Sequence, residues 1–411
     1  MLVRNRIFAE RLVDGTDPYE DGLHAPYPLT WALFHSAFLW MPVPVERAVW
    51  CAAQLALLAL WLAALDRAAR TTFTLDRRTR IRLLLVAAVL TSRFWLRDMA
   101  GGGSNLVVTS LAFFGTMYVF RGHSVRGALA LGASCALKLT PFLFLPYLAV
   151  RRRLGSTAVT ALVAGALLLA PALVMGIDRY VDTTREWSEG VFRFLGQSDL
   201  EEDSGHIIPF EWMNQSLRNA VFRYLTDVEY DHPWYRQGLG LPEGVATWIF
   251  RALALGLLAI SAWVLGHRSR DGVQPRSEDP EAAIREIARI GWVFILMLLL
   301  SPISWRAHYV STIPAIYVVA VHAWVGMRGR YASRIVLVLF FLLASATNET
   351  FWGKGGKALL QAHYTVTIAT LLLLPQLARI VLDPRAFRAS SATASGTLPP
   401  SVDGSSPAPP A

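Results

Sequence analysis

The sequence predicts an all-α fold, a multi-pass bundle of transmembrane helices, and three observations carry that expectation. Of 411 residues, 54% are hydrophobic and only 17% are charged, whereas soluble domains carry charge on about a quarter of their residues. Several apolar runs approach or exceed the roughly 20 residues that a helix needs to cross a bilayer. Arginines gather in short segments between those runs. The net charge of +9 is therefore read as the basic excess of cytoplasmic loops, and no nucleic-acid partner is expected.

The spans are expected at 45–66, 81–96, 104–121, 155–176, 245–266, 286–302, 309–326, 334–348 and 357–380. The basic segments that orient them are 66–82, Arg121 with Arg126, Arg151-Arg152-Arg153, 267–285, and Arg328-Gly329-Arg330 with Arg334, all placed in the cytoplasm. Segment 127–150 has basic residues on both sides and is interrupted by Lys138-Leu139-Thr140-Pro141. Two short helices that turn inside the protein fit both facts, because non-helical backbone at membrane depth is tolerated where protein or a water cavity covers it. One continuous helix kinked at Pro141 is the alternative. The run 28–41 is too short to span and reads as re-entrant or interfacial. Residues 1–26 are polar and have no signal-peptide core. Cys51 and Cys135 lie in apolar helices without metal or redox spacing and read as small packing residues. No internal repeat is visible, which disfavours transporter folds built from duplicated halves. Residues 1–388 are expected to form one transmembrane domain with an external loop at 177–244. Residues 389–411, rich in Ser, Pro, Ala and Gly, read as a disordered cytoplasmic tail.

With this topology the polar segments 14–28, 93–105, 177–244, 301–309 and 348–357 share the non-cytoplasmic face. The long loop holds Asp199, Glu201, Glu202, Asp203, Asp227, Glu229 and Asp231 among interleaved aromatics, a pattern that suits short helices lying on the membrane surface. Five places on that face could carry chemistry. Tyr27, in His24-Ala25-Pro26-Tyr27-Pro28, reads either as an interface anchor or as part of a rigid lip over a cavity. Gly101-Gly102-Gly103-Ser104-Asn105 opens a helix; it is either a plain turn or a flexible approach to an anionic group. Lys138, flanked by apolar helix, either snorkels to the surface or meets a phosphate. Asn214, in Asn214-Gln215-Ser216-Leu217-Arg218, is either a helix cap or a ligand for sugar hydroxyls or phosphate. Finally, Ser301-Pro302-Ile303-Ser304-Trp305-Arg306-Ala307-His308-Tyr309 is a short polar and aromatic stretch between two apolar runs. There His308 could be a general base or hold a phosphate oxygen, Arg306 offers a permanent charge, and Trp305 offers an apolar face to a sugar ring.

Taken in order, these motifs resemble those of the GT-C glycosyltransferases, and most of all glycosyltransferase family 87. That family pattern is matched by Gly15-Thr16-Asp17-Pro18-Tyr19, by Tyr27-Pro28-Leu29 with Leu29 in place of a second Pro, by Gly103-Ser104-Asn105, by Gly132 to Pro141, by residues 214–217, and by Ser301 to His308. The first His of the family's usual pair is Ala307 here. The resemblance implies an enzyme that moves a hexose, mannose above all, from a polyprenyl-phosphate donor to a lipid-linked or periplasmic glycan by an inverting displacement. It implies an active face on the non-cytoplasmic side of the plasma membrane, membrane lipids as partners, and no cofactor or metal beyond the lipid-phosphate sugar itself. His308 would be catalytic, and Lys138, Arg306, Asn105, Asn214, Trp305 and Tyr27 would hold the donor phosphate and sugar. A transporter or flippase of a lipid-linked anion, or a non-catalytic membrane subunit, is the alternative.

The resemblance also implies a first transmembrane helix followed by a catalytic Asp, and spacing back from Asp17 puts that Asp at or just before Met1. A longer natural protein is therefore expected. N-terminal peptide mapping of the natively expressed protein should find an additional helix ending in Asp ahead of Met1, and a stop codon in frame immediately upstream would contradict it.

Overall fold

The structure, a computed structural model, describes residues 2–20, 27–196, 213–227, 238–267, 281–383 and 385–387, with backbone alone at 190–196. The expected tail 389–411, and the loop acids and aromatics at 197–212 and 228–237, lie outside the described residues. Every element described is helical. In chain order they are α1 (Leu2–Asp14), α2 (Leu29–Ser36), α3 (Val43–Thr72), α4 (Arg77–Ala100), α5 (Asn105–Phe120), α6 (Ser124–Leu137), α7 (Phe144–Val150), α8 (Leu154–Leu169), α9 (Ala172–Met175) and α10 (Ile177–Gly196). They continue with α11 (Leu217–Leu225), α12 (Glu243–Gly266), α13 (Ala282–Leu300), α14 (Ile313–Val325), α15 (Arg330–Phe340), α16 (Glu349–Ala362), α17 (Thr365–Leu371) and α18 (Leu373–Leu382). Tight helical turns at Thr140–Leu143 and Arg306–Thr312 precede α7 and α14.

Among the described residues, five helical segments are long and apolar enough to cross a membrane, or seven when two sharply bent pairs are each counted as one span. They divide by burial. Only 17% of α12's apolar stretch and 28% of α3's are buried, against 83% of Arg306–Val325. Leu162 on α8 is 73% exposed and Leu255 on α12 is 67% exposed. Such broad apolar faces would be untenable in water, and a hydrocarbon surround removes the penalty. Inside them, α13 and α14 are buried on nearly all sides and form the centre of the main core. Trp61 of α3 bridges to Phe113 of α5 at 5.0 Å and to Phe294 of α13 at 6.0 Å between ring centroids.

Local sequence explains the elements that frame the site. The Asp76 side chain accepts the Thr79 backbone N–H at 2.8 Å and so caps α4. Thr79 also holds the Asp76 carboxyl below its usual range. The run 127–150 breaks at Lys138, which is extended at φ −155° and ψ 137°, so the two-helix hairpin is found and the continuous kinked helix is not. Helices α5 and α6 approach closely because Gly115 and Gly127 face each other. A Cβ on Gly127 would sit 2.4 Å from the Gly115 carbonyl oxygen and 2.7 Å from the Val119 nitrogen. Helices α4 and α5 are bent 118° across the Gly101–Ser104 turn.

Three local expectations change. The polar N-terminus forms a helix, α1, whose buried face is Leu2, Asn5, Phe8, Ala9 and Leu12, a spacing of three to four residues. Arg6 anchors it, donating to the carbonyls of Leu39 at 2.8 Å and Met41 at 2.9 Å and to Glu46 at 3.1 Å. The last expected span starts at Thr365, because α16 is a separate helix bent 79° from Arg330–Ser345 and kinked at Gly353, where φ is +65°. Cys135 is buried as expected, but Cys51 lies on an exposed face of α3 and packs into no core.

Gly127→Val should lower the stability of the detergent-solubilised protein by about 1–3 kcal/mol, the usual cost of overpacking. The colliding atoms are backbone and cannot rotate away. An unchanged thermal unfolding midpoint would contradict the close α5–α6 contact.

Candidate functional site

The hairpin break, the start of α5 and the turn before α14 meet in one cavity. Asn105, Val108, Thr109, Lys138, Thr140, Met297, Leu298, Ser301, Ser304, His308 and Ser311 line about 320 Å³ of empty space, including its open mouth. Lys138, only 8% exposed, does not snorkel. Its ammonium donates to Asn105 Oδ1 at 2.8 Å and lies 5.4 Å from the centre of the Tyr27 ring. Asn105 in turn donates through Nδ2 to Asp98 Oδ1 at 2.8 Å. A neutral amide thus links a buried cation to a buried carboxylate, which offsets the cost of holding either charge away from water.

Asp98 also resolves the reading of the glycine turn. Its carboxylate accepts the backbone N–H of Leu106 at 2.9 Å and that of Asn105 at 3.4 Å. The N-terminus of α5 is therefore already occupied by an anion from the chain itself and does not wait for an external one. The turn must be glycine for this to happen. A Cβ on Gly103 would fall 2.0 Å from Asp98 Oδ1, and Gly102, at φ +62°, would meet Leu2 at 2.8 Å. In the sequence Asp98 is one charge within the polar segment 93–105. Its position seven residues before Asn105, across a glycine turn, was the available signal.

Tyr27 is 4% exposed, so it is no interface anchor. Its hydroxyl accepts from Ser104 Oγ at 2.7 Å, and its carbonyl accepts from the Tyr19 hydroxyl at 3.0 Å. It forms the wall behind Lys138, between the cavity and the stacked ring of Trp31 at 5.2 Å.

Asn214 is fully buried, and Ser216, not Asn214, caps α11 by accepting the Asn219 N–H. Asn214 instead grips the backbone of the 301–309 stretch. Its Oδ1 accepts the Ser304 N–H at 2.8 Å and its Nδ2 donates to the Pro302 carbonyl at 2.9 Å. The Gln215 N–H adds a 2.8 Å bond to the Ser304 carbonyl, and the Gln215 carbonyl accepts both Tyr309 and Thr367 hydroxyls at 2.6 Å. Two motifs 90 residues apart are therefore one structural unit, a pairing that sequence spacing alone does not reveal.

His308 faces the cavity from that unit. Its Nδ1 accepts the Trp305 backbone N–H at 3.1 Å. A neutral ring in this arrangement carries its proton on Nε2 and presents a donor. Trp305 lies nearly parallel to His308, 6.4 Å between ring centroids, and its Nε1 is buried without a partner. Neither Trp305 nor Arg306 lines the cavity. Arg306 stands in the electrostatic field of Arg97, Arg93 and Glu349 at the end of α4 and start of α16. The structure thus brings Asn105, Lys138 and His308 together with Tyr27 behind them, leaves Asn214 as their support, and separates Arg306 and Trp305. Among the described residues no group of three or more His, Cys, Asp or Glu side chains could hold a metal ion.

The linked charges make a measurable pair. Asp98→Asn and Lys138→Met should each destabilise the protein by about 3–5 kcal/mol, since each strands a buried charge. The double variant should cost at least about 1 kcal/mol less than the sum. Strictly additive losses in a detergent unfolding series would show that the two charges do not sense each other.

Residues 25–302 match the sequence model of glycosyltransferase family 87. The chain is 27% identical over 334 residues to a polyprenol-phosphate-mannose-dependent alpha-(1-2)-phosphatidylinositol mannoside mannosyltransferase of Mycolicibacterium smegmatis, covering 76% of this chain and 67% of that protein. It is 28% identical over 317 residues to the protein of the same description from Mycobacterium tuberculosis, covering 74% and 64%. The chain thus spans about two thirds of the length of these relatives. No solved structure matches it. The match covers more than half of the chain and includes the glycine turn, the hairpin break and the Asn214 segment: this all-α membrane protein belongs to glycosyltransferase family 87.

Proposed function

We propose that the chain transfers a mannosyl residue from a polyprenyl-phosphate donor to a hydroxyl of a lipid-linked or periplasmic glycan, with the cavity as the donor-phosphate site. One observation carries this reading: Lys138, Asn105 and His308 share a single polar cavity with Thr140, Ser301, Ser304 and Ser311. A glycosyl-phosphate bond that breaks leaves negative charge on the phosphate. Preorganised donors aimed at that charge lower the barrier because they need not reorganise as it develops. Lys138 supplies a full positive charge, and His308 supplies an N–H. Asp98, whose oxygens already accept three N–H groups, keeps that cation in place and is not free to take a proton from an acceptor. The names of the relatives support polyprenol-phosphate-mannose as the donor and a phosphatidylinositol mannoside as the kind of acceptor.

In this reading the cavity opens on the non-cytoplasmic side of the plasma membrane. The basic segments around Arg80 and Arg151, at the opposite ends of the same helices, support that orientation. The charge needed at the leaving group comes from side chains, so no resident metal is proposed, and excess EDTA should leave transfer unchanged. A transporter reading is less well supported, because the family model and both named relatives are glycosyltransferases.

His308→Ala and Lys138→Met should each reduce transfer from polyprenyl-phosphate-mannose by roughly 100-fold or more, the scale of losing one preorganised donor. His308→Gln, which keeps an N–H donor, should recover part of the loss. Equal inactivity of the Gln and Ala variants would instead favour a proton-accepting role, and full activity of the Ala variant would remove His308 from the site.

A further inference from the structure

Arg93, Arg97 and Arg306 do not line the cavity, and none of them forms an ion pair with a carboxylate among the described residues. Arg93 and Arg97 lie one turn apart near the end of α4, flanking Phe94, whose ring packs 5.6 Å from that of Tyr309. That contact sets both arginines against the turn that carries Arg306. Arg93 donates one Nη to the Ala344 carbonyl at 2.9 Å, and its other Nη is buried without a partner. Arg306 makes no hydrogen bond or ion pair among the described residues. The carboxylate whose field reaches it is Glu349, which already accepts from Lys357 at 2.5 Å and has Lys354 nearby. Arg306 thus lies in the repulsive field of both Arg93 and Arg97, beside a carboxylate already held by a lysine. Uncompensated like charges near a membrane boundary are costly, and an anion from outside the chain removes the cost.

We propose that Arg93, Arg97 and Arg306 form a second anion site, separate from the Lys138 cavity, that takes the phosphodiester of an anionic lipid headgroup on the acceptor. The assignment rests on the glycosyl-transfer reading above. Guanidinium forks match the paired oxygens of a phosphate. The end of α4 and start of α16, with Phe351 63% exposed and Trp352 48% exposed, resemble an interfacial belt, where lipid phosphates lie. Arg306 is only two residues from His308, so a headgroup phosphate held there would keep the attached sugars within reach of the cavity. Two bound anions then have two separate cationic groups: the leaving phosphate at Lys138 and the acceptor phosphate at the arginines.

The test is native mass spectrometry of the full chain in neutral detergent, titrated separately with phosphatidylinositol, an uncharged diacylglycerol glycolipid and a short-chain polyprenyl phosphate. The wild type should prefer phosphatidylinositol over the uncharged glycolipid by roughly 10-fold or more, from charge-assisted bonds to two or three arginines. An Arg97→Gln/Arg306→Gln variant should lose that preference while binding polyprenyl phosphate as before, and Arg97→Lys/Arg306→Lys should retain much of it. Unchanged phosphatidylinositol binding in the Gln variant would overturn the site. Loss of polyprenyl-phosphate binding in its place would assign the arginines to the donor. Displacement of phosphatidylinositol by inorganic phosphate at equal concentration would overturn the lipid assignment. Binding needs no turnover, so a chain that fails to transfer mannose yet shows the preference refutes the transferase reading and leaves the anion site standing.

Discussion

A lysine buried among apolar helices dictates much of what surrounds it. Lys138 can keep its charge there only if something negative is near and its hydrogen bonds are met. Asp98 and Asn105 meet both needs, but Asp98 must reach beneath the first turn of α5 to do so. That reach requires the sharp bend between α4 and α5, which requires glycine at 102 and 103. The extended backbone at Lys138, in turn, is what splits the hairpin into α6 and α7. A single electrostatic requirement therefore fixes a turn, a helix break and the packing of three helices.

The second constraint is the grip of Asn214 and Gln215 on the backbone of Pro302 and Ser304. A short non-helical stretch buried between apolar helices leaves peptide groups unpaired, each expensive to bury. The 214–215 segment pairs them much as a strand would, and the hydroxyls of Tyr309 and Thr367 close on the Gln215 carbonyl. His308 is held in register by this arrangement and by the Trp305 N–H. Its orientation is therefore a property of two distant segments acting together.

Much of the architecture was legible because membrane helices announce themselves by length and apolarity, and because a Lys-x-Thr-Pro break inside an apolar run admits few arrangements. The helix α1 was not, although its buried residues repeat at helical spacing, because its polar composition masked the period and its partner surface is made by α2 and the glycine turn. The cavity residues Lys138, Asn105 and His308 were legible as polar exceptions in apolar surroundings. Asp98 was not, since a carboxylate beside two arginines reads as surface charge until the bend turns it inward. The separation of Arg306 from His308 was equally hidden. Two residues apart in a tight helical turn, their side chains project in different directions, and only the packing of α4 decides which faces the cavity.

The glycine turn has a mechanical side as well. On one flank Leu2 of α1 occupies the space that a side chain on Gly102 would need, and on the other Asp98 fills the space beside Gly103. Asn5 of α1 also reaches the Gly102 carbonyl, at 3.5 Å. Helix α1 is thus a wedge driven against a three-residue spring, with the counter-charge of Lys138 on its far side. The side chains that α1 presents at Leu2 and Asn5 therefore share one small volume with the turn that carries the counter-charge of Lys138.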